Sequence, residues 1–336
     1  MKVLLYTEGL KKVKKSGLGK AIEHQIKALE DEKIEYTLDP KDDYDIMHIN
    51  TWFLKSYFIA KRAKKRGKKI VYHAHSTEED YRNGFIFANQ TSKLIKWWLI
   101  KCYSLGDVIV TPTPYSKKLL EGYKGLEDKK IYAVSNGIDT AFFRKDTKLG
   151  KRFRKNYKIK DNEKVIIGIG LYIERKGIVD FVELARRCPE YKFIWFGHSS
   201  KLVATKPVKK ALRVNLPNLT FAGYVERDVI KAAMNGCDLF LMTTYEETEG
   251  IPIVEACACK CDSLIRDIPI WKGWLKNNEN VYTAKDIDDF EIKIREILDG
   301  NKKSLVNNAY KIAEERNLKN IGKQLKEIYE EVLNEK

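Results

Sequence analysis

Short apolar runs of strand length recur along this chain, each followed by a longer stretch with apolar residues at helical spacing. The runs are Met1-Lys-Val-Leu-Leu-Tyr-Thr7, Asp45-Ile-Met-His-Ile49, Lys69-Ile-Val-Tyr-His73, Asp107-Val-Ile-Val-Thr111 and Lys130-Ile-Tyr-Ala-Val134. A polar, basic stretch from Thr140 to Asn162 interrupts the rhythm. It then restarts with Lys164-Val-Ile-Ile-Gly-Ile-Gly170, Lys192-Phe-Ile-Trp-Phe196, Leu219-Thr-Phe221 and Asp238-Leu-Phe-Leu-Met242. Near-continuous apolar strands alternating with helices mean parallel sheets covered on both faces. Two such series in 336 residues predict an α/β chain with two doubly wound parallel-sheet domains. The predicted boundaries are 1–155 and 156–315, followed by a C-terminal helical segment, 316–336. That last stretch, amphipathic from Leu305 to Leu333, is long enough to reach back to the first domain.

In such folds ligands bind where strands give way to helices, at the carboxyl edge of the sheet. The segment Glu247-Thr-Glu-Gly-Ile-Pro-Ile-Val-Glu255 occupies such a place. It follows an apolar strand that ends in threonines, and Pro252 suits the first turn of a helix. Glu247 is expected at the strand end and Glu255 in the first helical turn. Ionised carboxylates only accept hydrogen bonds, so two aimed at one crevice suit a ligand rich in hydroxyls. Gly250 and Ile251, at the helix start, would let backbone N–H groups approach a phosphate. The alternative is two solvated glutamates flanking an ordinary loop.

Gly170-Leu-Tyr-Ile-Glu-Arg-Lys-Gly177 follows the first strand of the second domain. Arg175 and Lys176 there face a helix start, where Arg can fork onto two phosphate oxygens and Lys adds a point charge. Ser16-Gly-Leu-Gly19, with Gly17 and Gly19, is a second phosphate-type loop, though not a full G-x-G-x-x-G. Asp39 could hold a ribose in a dehydrogenase, but that reading leaves Arg175, Lys176 and the glutamates idle. His75 ends a strand and can donate to a sugar hydroxyl or shuttle protons, whereas His73 lies within the strand and is structural. Asn136-Gly137 is a common turn pair.

The formal net charge is +16. Residues 1–160 carry 35 Lys and Arg against 19 Asp and Glu, and residues 161–336 carry 28 of each, so the excess falls in the first half. A basic half of this kind seeks a polyanion, either nucleic acid or an anionic membrane face. Two stretches favour the membrane. Lys61-Arg-Ala-Lys-Lys-Arg-Gly-Lys-Lys69 is a dense basic run containing Lys64, Lys65 and Arg66. Lys93-Leu-Ile-Lys-Trp-Trp-Leu-Ile-Lys-Cys-Tyr103 interleaves Lys93, Lys96 and Lys101 with Trp97 and Trp98, as suits a headgroup layer. A nucleic-acid-binding α/β protein would use the same aromatics for stacking. No run has the length of a transmembrane helix, and the chain opens directly on a strand, so no signal peptide is expected. Six cysteines without framework spacing suggest reduced thiols in a cytosol, and the alternating Cys257, Cys259 and Cys261 fit small-residue packing better than zinc.

In this order and at these spacings, the glycine loop, His75, Asn136-Gly137, Arg175-Lys176-Gly177 and Glu247-x7-Glu255 resemble the family 4 retaining glycosyltransferases. The resemblance runs from about residue 1 to 330. It implies the GT-B fold, with two Rossmann-like domains facing a cleft that holds a nucleotide-sugar. It implies that Arg175 and Lys176 bind the donor diphosphate, Glu247 the sugar hydroxyls and Glu255 the ribose. Gly17 and Gly19 would approach the phosphate or sugar, and His75 would lie beside the transferred hexose. The family needs no catalytic metal; the leaving diphosphate serves as base, and Mg2+ stimulation is compatible with that. Two positions depart from the pattern: Leu171 stands where many members carry an arginine, and Lys260 where a glycine often ends the small-residue helix. Lys2-Val-Leu-Leu-Tyr-Thr-Glu8 and Lys15-Ser-Gly-Leu-Gly-Lys-Ala-Ile-Glu-His-Gln25 look like bacterial diglycosyl-diacylglycerol synthases. That implies a UDP-glucose or UDP-galactose donor and a glucosyl-diacylglycerol acceptor. It also implies activation by anionic lipid, peripheral attachment to the inner face of the cell membrane, and no nucleic acid. A cell-wall or polysaccharide transferase is the alternative within the class.

Overall fold

The computed structural model describes residues 1–10, 16–200 and 204–335. Two compact units divide the chain: 1–81, 90–139 and 316–336 form the first, and 82–89 and 140–315 the second.

The first unit is built on six parallel strands in the order β2-β1-β3-β4-β5-β6. They are β1 (Lys2–Tyr6), β2 (Glu35–Thr37), β3 (Ile46–Ile49), β4 (Lys69–His73), β5 (Val108–Thr111) and β6 (Lys130–Ala133). Side chains alternate across a strand, so β1 sends Leu4 and Tyr6 into one apolar layer and Val3 and Leu5 into the other. The first layer includes Leu99, Cys102 and Tyr103 of helix Ala88–Tyr103. The second is closed by Ala28 and Leu29 of helix Gly17–Asp31 together with Ile321, Leu325, Ile328 and Tyr329 of helix Leu318–Asn334. The two helices meet closely at Gly322, where a Cβ would stand 2.4 Å from the Ala28 carbonyl oxygen. The Asn136-Gly137 turn serves the same docking. A Cβ on Gly137 would meet Leu318, and the Ile138 N–H donates to the Arg316 carbonyl at 2.9 Å.

The second unit has its own six parallel strands in the order β12-β11-β10-β7-β8-β9. They are β7 (Val165–Ile169), β8 (Lys192–Phe196), β9 (Leu219–Gly223), β10 (Leu239–Met242), β11 (Ser263–Arg266) and β12 (Tyr282–Ala284). Phe181, Phe193 and Trp195 pack edge to face at its centre. Helix Thr147–Asn156 belongs to this unit, so the division falls at 139/140 rather than at the 155 expected from sequence. Its residues explain why: a Cβ on Gly150 would stand 2.4 Å from the Asn235 carbonyl oxygen, and Arg154 bonds the Gly236 carbonyl and Asp238.

This placement corrects the charge argument. The first unit carries 30 Lys and Arg against 22 Asp and Glu, and the second 33 against 25. Each folded unit is therefore net +8. The excess over residues 1–160 arose because the basic segment 140–160, net +8 and centred on helix 147–156, was counted with the wrong unit.

Candidate active site

Strand order reverses direction between β7 and β10 in the second unit. The loops that leave these two neighbouring strands carry the candidate residues. After β7 the chain makes a single tight turn, Glu174–Lys176, and Gly177 stops it with φ +72°. No other residue fits there: a Cβ would lie 2.1 Å from the Thr243 carbonyl oxygen. The Thr243 hydroxyl donates to the Gly177 carbonyl at 2.8 Å, and the Tyr245 N–H donates to the Arg175 carbonyl at 2.8 Å. Arg175 and Lys176 are thus fixed by backbone bonds to the β10 loop.

Their side chains turn to the same loop. Lys176 Nζ donates to Glu247 Oε1 at 2.5 Å, and the Thr244 hydroxyl donates to the same oxygen at 3.1 Å. Arg175 Nη1 donates to the Glu246 carbonyl at 2.6 Å and stands 3.9 Å from Glu247 Oε2. Glu247 is 5% exposed and Glu255 fully buried, which removes the reading of two solvated glutamates. Glu247 lies on the loop five residues beyond β10, not at its end. Glu255 lies in the second turn of helix Ile251–Ala258, not in the first. Gly250 caps that helix in the left-handed region, φ +79°, against Met242 and Trp271.

Sequence reasoning passed over several residues here. Glu249 is as deeply buried as Glu247. Arg266, the last residue of β11, pairs with Asp180, donates to the Thr243 carbonyl at 3.1 Å and lies 4.0 Å from the centre of the Tyr245 ring. It braces the β10 loop from below. Only a correct reading of β11 would have drawn attention to it.

In the first unit the reversal falls between β1 and β3. Gly17 and Gly19 lie in the first helical turn after Ser16, whose hydroxyl accepts from the Gly19 N–H at 3.4 Å, rather than in a free loop. Lys14 and Lys15 of the predicted loop fall outside the described residues. His75, two residues past β4, is half-buried and its Nε2 lies 2.9 Å from Asn50 Oδ1. Burial, and to a lesser extent neighbouring His48, pushes its pKa down to about 3, so the ring is neutral near pH 7. His73 stacks on it at 3.8 Å and is buried, as its strand position suggested.

The basic and aromatic stretches divide between surface and interior. In helix Leu54–Lys65 and its C-terminal cap, Lys61, Arg62, Lys64, Lys65 and Arg66 are exposed, favourably placed at the negative end of the helix dipole. In helix Ala88–Tyr103, Lys93, Leu94, Trp97 and Lys101 are exposed. Trp98 turns inward, donating to the Trp52 carbonyl at 2.6 Å and packing on Tyr57. Lys96 pairs with the buried Glu78 at 3.4 Å and lies over the Tyr123 ring. Trp98 and Lys96 are therefore held by partners within the unit, whereas Phe53, Leu54, Phe58, Leu94 and Trp97 are exposed, as are Lys55, Lys61, Lys93 and Lys101 on the same two helices. No helix among the described residues is long and apolar enough to cross a membrane.

Cys257, Cys259 and Cys261 are buried, and Cys261 Sγ lies 3.2 Å from Cys237 Sγ without bonding to it. No group of three or more His, Cys, Asp or Glu placed to hold a metal occurs among the described residues.

Two Rossmann-like sheets, with a cationic loop and buried carboxylates at the reversal point of the second, define a glycosyltransferase of GT-B fold. Comparison with known proteins gives the particular family. The profile described as "Glycosyltransferase Family 4" matches residues 26–142, and "Glycosyl transferases group 1" matches 151–316. A processive diacylglycerol alpha-glucosyltransferase of Acholeplasma laidlawii is 40% identical over 99% of both chains. The alpha-galactosylglucosyldiacylglycerol synthase of Streptococcus pneumoniae is 25% identical, covering 72% of this chain and 65% of its own. Among solved structures, Anabaena HepE in complex with UDP and glucose superposes with a TM-score of 0.77 at 18% identity, over 98% of this chain and 100% of that one. The chain belongs to glycosyltransferase family 4.

Proposed function

We propose that this enzyme transfers glucose from UDP-glucose to a monoglucosyl-diacylglycerol with retention of anomeric configuration, giving a diglycosyl-diacylglycerol. The observation that carries this reading is the 40% identity, across essentially the whole chain, to a diacylglycerol alpha-glucosyltransferase. That relative is processive, so diacylglycerol itself is a second acceptor to be tried. The S. pneumoniae relative, named for galactosyl transfer, supports UDP-galactose as the alternative donor. The two hexoses differ by one axial hydroxyl.

The site residues take roles their chemistry allows. Glu247 accepts hydrogen bonds from hydroxyls of the donated sugar, and Glu255 from those of the ribose. Arg175 and Lys176 neutralise the diphosphate as charge builds on it in the transition state. An alpha product from an alpha-linked UDP-sugar requires retention. A diphosphate oxygen then takes the acceptor proton on the same face. Gly17 offers a backbone N–H at a helix start, Gly19, whose own N–H is capped by Ser16, lets the phosphate or sugar come close to the backbone, and His75 meets a hydroxyl of the hexose. Gly250 and Ile251 approach the donor phosphate in the same way. No resident metal takes part, and Mg2+ stimulates at most by screening the diphosphate.

The acceptor lies in a membrane, and the enzyme meets it as a peripheral protein at the inner face. With both units equally charged, the local surface of helices 54–65 and 88–103 supports this reading better than net charge does. Trp97, Leu94, Phe53, Leu54 and Phe58 enter the headgroup layer while Lys64, Lys65, Arg66, Lys93 and Lys101 meet anionic lipid. Nucleic acid is not a partner. The test is labelled UDP-glucose or UDP-galactose with glucosyl-diacylglycerol, or with diacylglycerol, in anionic micelles. A labelled two-sugar lipid is expected from the first acceptor; no lipid product from either donor overturns the assignment.

A further inference from the structure

A continuous chain of polar side chains crosses the first unit from its C-terminal helix to His75. The Tyr329 hydroxyl lies 2.5 Å from His48 Nδ1, and His48 Nε2 lies 3.1 Å from His73 Nδ1. Gln25 Nε2 stands 2.9 Å from His73 Nδ1 and 2.9 Å from Asn50 Oδ1. Asn50 Nδ2 returns to Gln25 Oε1 at 2.9 Å, and Asn50 Oδ1 meets His75 Nε2 at 2.9 Å. Tyr329, His48, His73, Gln25 and Asn50 are all buried.

One end of this chain sets its direction. A phenol is a good donor and a weak acceptor, and an imidazole nitrogen is a good acceptor. Tyr329 therefore donates to His48 Nδ1, since the reverse bond would leave its buried O–H without an acceptor. His48 then carries its proton on Nε2 and donates to His73 Nδ1. His73 Nδ1 has one lone pair, which His48 Nε2–H and the Gln25 amide share in a forked bond; a Gln25 carbonyl oxygen there would face that lone pair, so Gln25 presents its NH2 and its carbonyl oxygen accepts from Asn50. The Asn50 amide is now fixed with Oδ1 toward His75, which must donate through Nε2–H. The cost falls on His73, whose buried Nε2–H has no partner among the described residues. Each step follows from the requirement that a donor face an acceptor.

We propose that Tyr329 sets the tautomer of His75 through His48, His73, Gln25 and Asn50, so that His75 presents Nδ1 as a bare acceptor to substrate. Nδ1 makes no hydrogen bond among the described residues. It can accept from a sugar hydroxyl and cannot donate to one. Tyr329 and Asn50 are positioning residues. Their link to turnover rests on the role given to His75 above, whereas the tautomer itself does not.

The test reads both. In 15N-histidine spectra of the ligand-free protein, with His75 identified from His75→Asn, the ring should carry its proton on Nε2. Tyr329→Phe keeps the shape of the core and removes only the proton that orders the relay, and Asn50→Leu removes its last member. Either should convert His75 to a mixture of tautomers and lower kcat about 10-fold or more, with donor KM within about twofold. Asn50→Asp, still an acceptor for Nε2–H, should restore the Nε2–H tautomer. A wild-type His75 protonated on Nδ1, or an unchanged tautomer in both Tyr329→Phe and Asn50→Leu, overturns the proposal. A tautomer change without loss of turnover upholds the relay and removes His75 from the transfer reaction.

Discussion

Removing Lys176 should destabilise the second unit through the charge it leaves behind. The Lys176–Glu247 pair sits at a loop crossing where Glu247 is 5% exposed. Breaking a buried pair from one side costs about 3–5 kcal/mol, because the remaining charge has neither water nor partner. Two features reduce this. The Lys176 side chain is 18% exposed, and Arg175 and the Thr244 hydroxyl stay beside the carboxylate. We expect about 2–3 kcal/mol for Lys176→Ala, equivalent to a fall of roughly 5–10 °C in Tm for a unit of this size. Glu247→Ala strands only a lysine that can swing toward solvent, so about 1 kcal/mol is expected. The double variant should resemble Glu247→Ala, leaving a coupling of about 2 kcal/mol in a double-mutant cycle read by calorimetry. Additive single effects would falsify the account of a strained charge at this crossing. Transfer activity should be lost in all three variants, so the melting experiment, and not turnover, separates stability from chemistry.

The buried histidines predict acid sensitivity at unusually mild pH. His48 and His75 are pushed down to about 3 by burial, and His73 well below its ordinary value for the same reason. Because the unfolded chain binds protons first, stability is full above about pH 7 and falls as pH drops through 6.5 toward the folded values. Each such histidine should lose about 1.4 kcal/mol per pH unit in that window, roughly 4 kcal/mol for the three by pH 5.5; urea midpoints that stay level between pH 7.5 and 5.5 would sink this. Trp97→Ala should weaken binding to anionic vesicles and leave Tm unchanged, whereas Trp98→Ala should cost about 3 kcal/mol by cavity formation. Equal effects of the two on vesicle sedimentation would refute the division between outward and inward faces.

Most strands that the sequence made legible are buried on both faces, where apolar side chains run without a break; the partly exposed edge strands β6 and β9 were legible because their apolar residues are large and strand-favouring. β2 and β12 escaped notice because they lie at the sheet edges and are three residues long. β11 escaped because its two apolar residues stand between Ser263 and Arg266. The loss of β11 hid Arg266, and with it the brace under the β10 loop. The amphipathic, helical stretch Leu305 to Leu333 is two helices, Val306–Glu315 and Leu318–Asn334. The break falls at Asn317, whose side chain accepts from the Asn320 N–H at 2.9 Å. Lys176 and Glu247 were legible from residue type and position. Asn50 and Gln25 were not, since neutral amides 25 positions apart carry no periodic signal, and their meaning lies in the partners that fix which way each amide points.

The closing of the first unit by helix Leu318–Asn334 bears on how the chain is made. Ile321, Leu325, Ile328 and Tyr329 complete one of its two apolar layers, yet they are synthesised last. Until those residues are made the β1–β6 sheet must wait with part of that face uncovered, held only by helix Gly17–Asp31, whereas the second unit has every strand it needs once Ala284 is in place. The usual order on the ribosome, N-terminal domain first, is inverted here. A nascent chain ending at Glu315 and held on the ribosome through a linker long enough to clear the exit tunnel should carry a protease-resistant second unit joined to a first unit that is still open to cleavage.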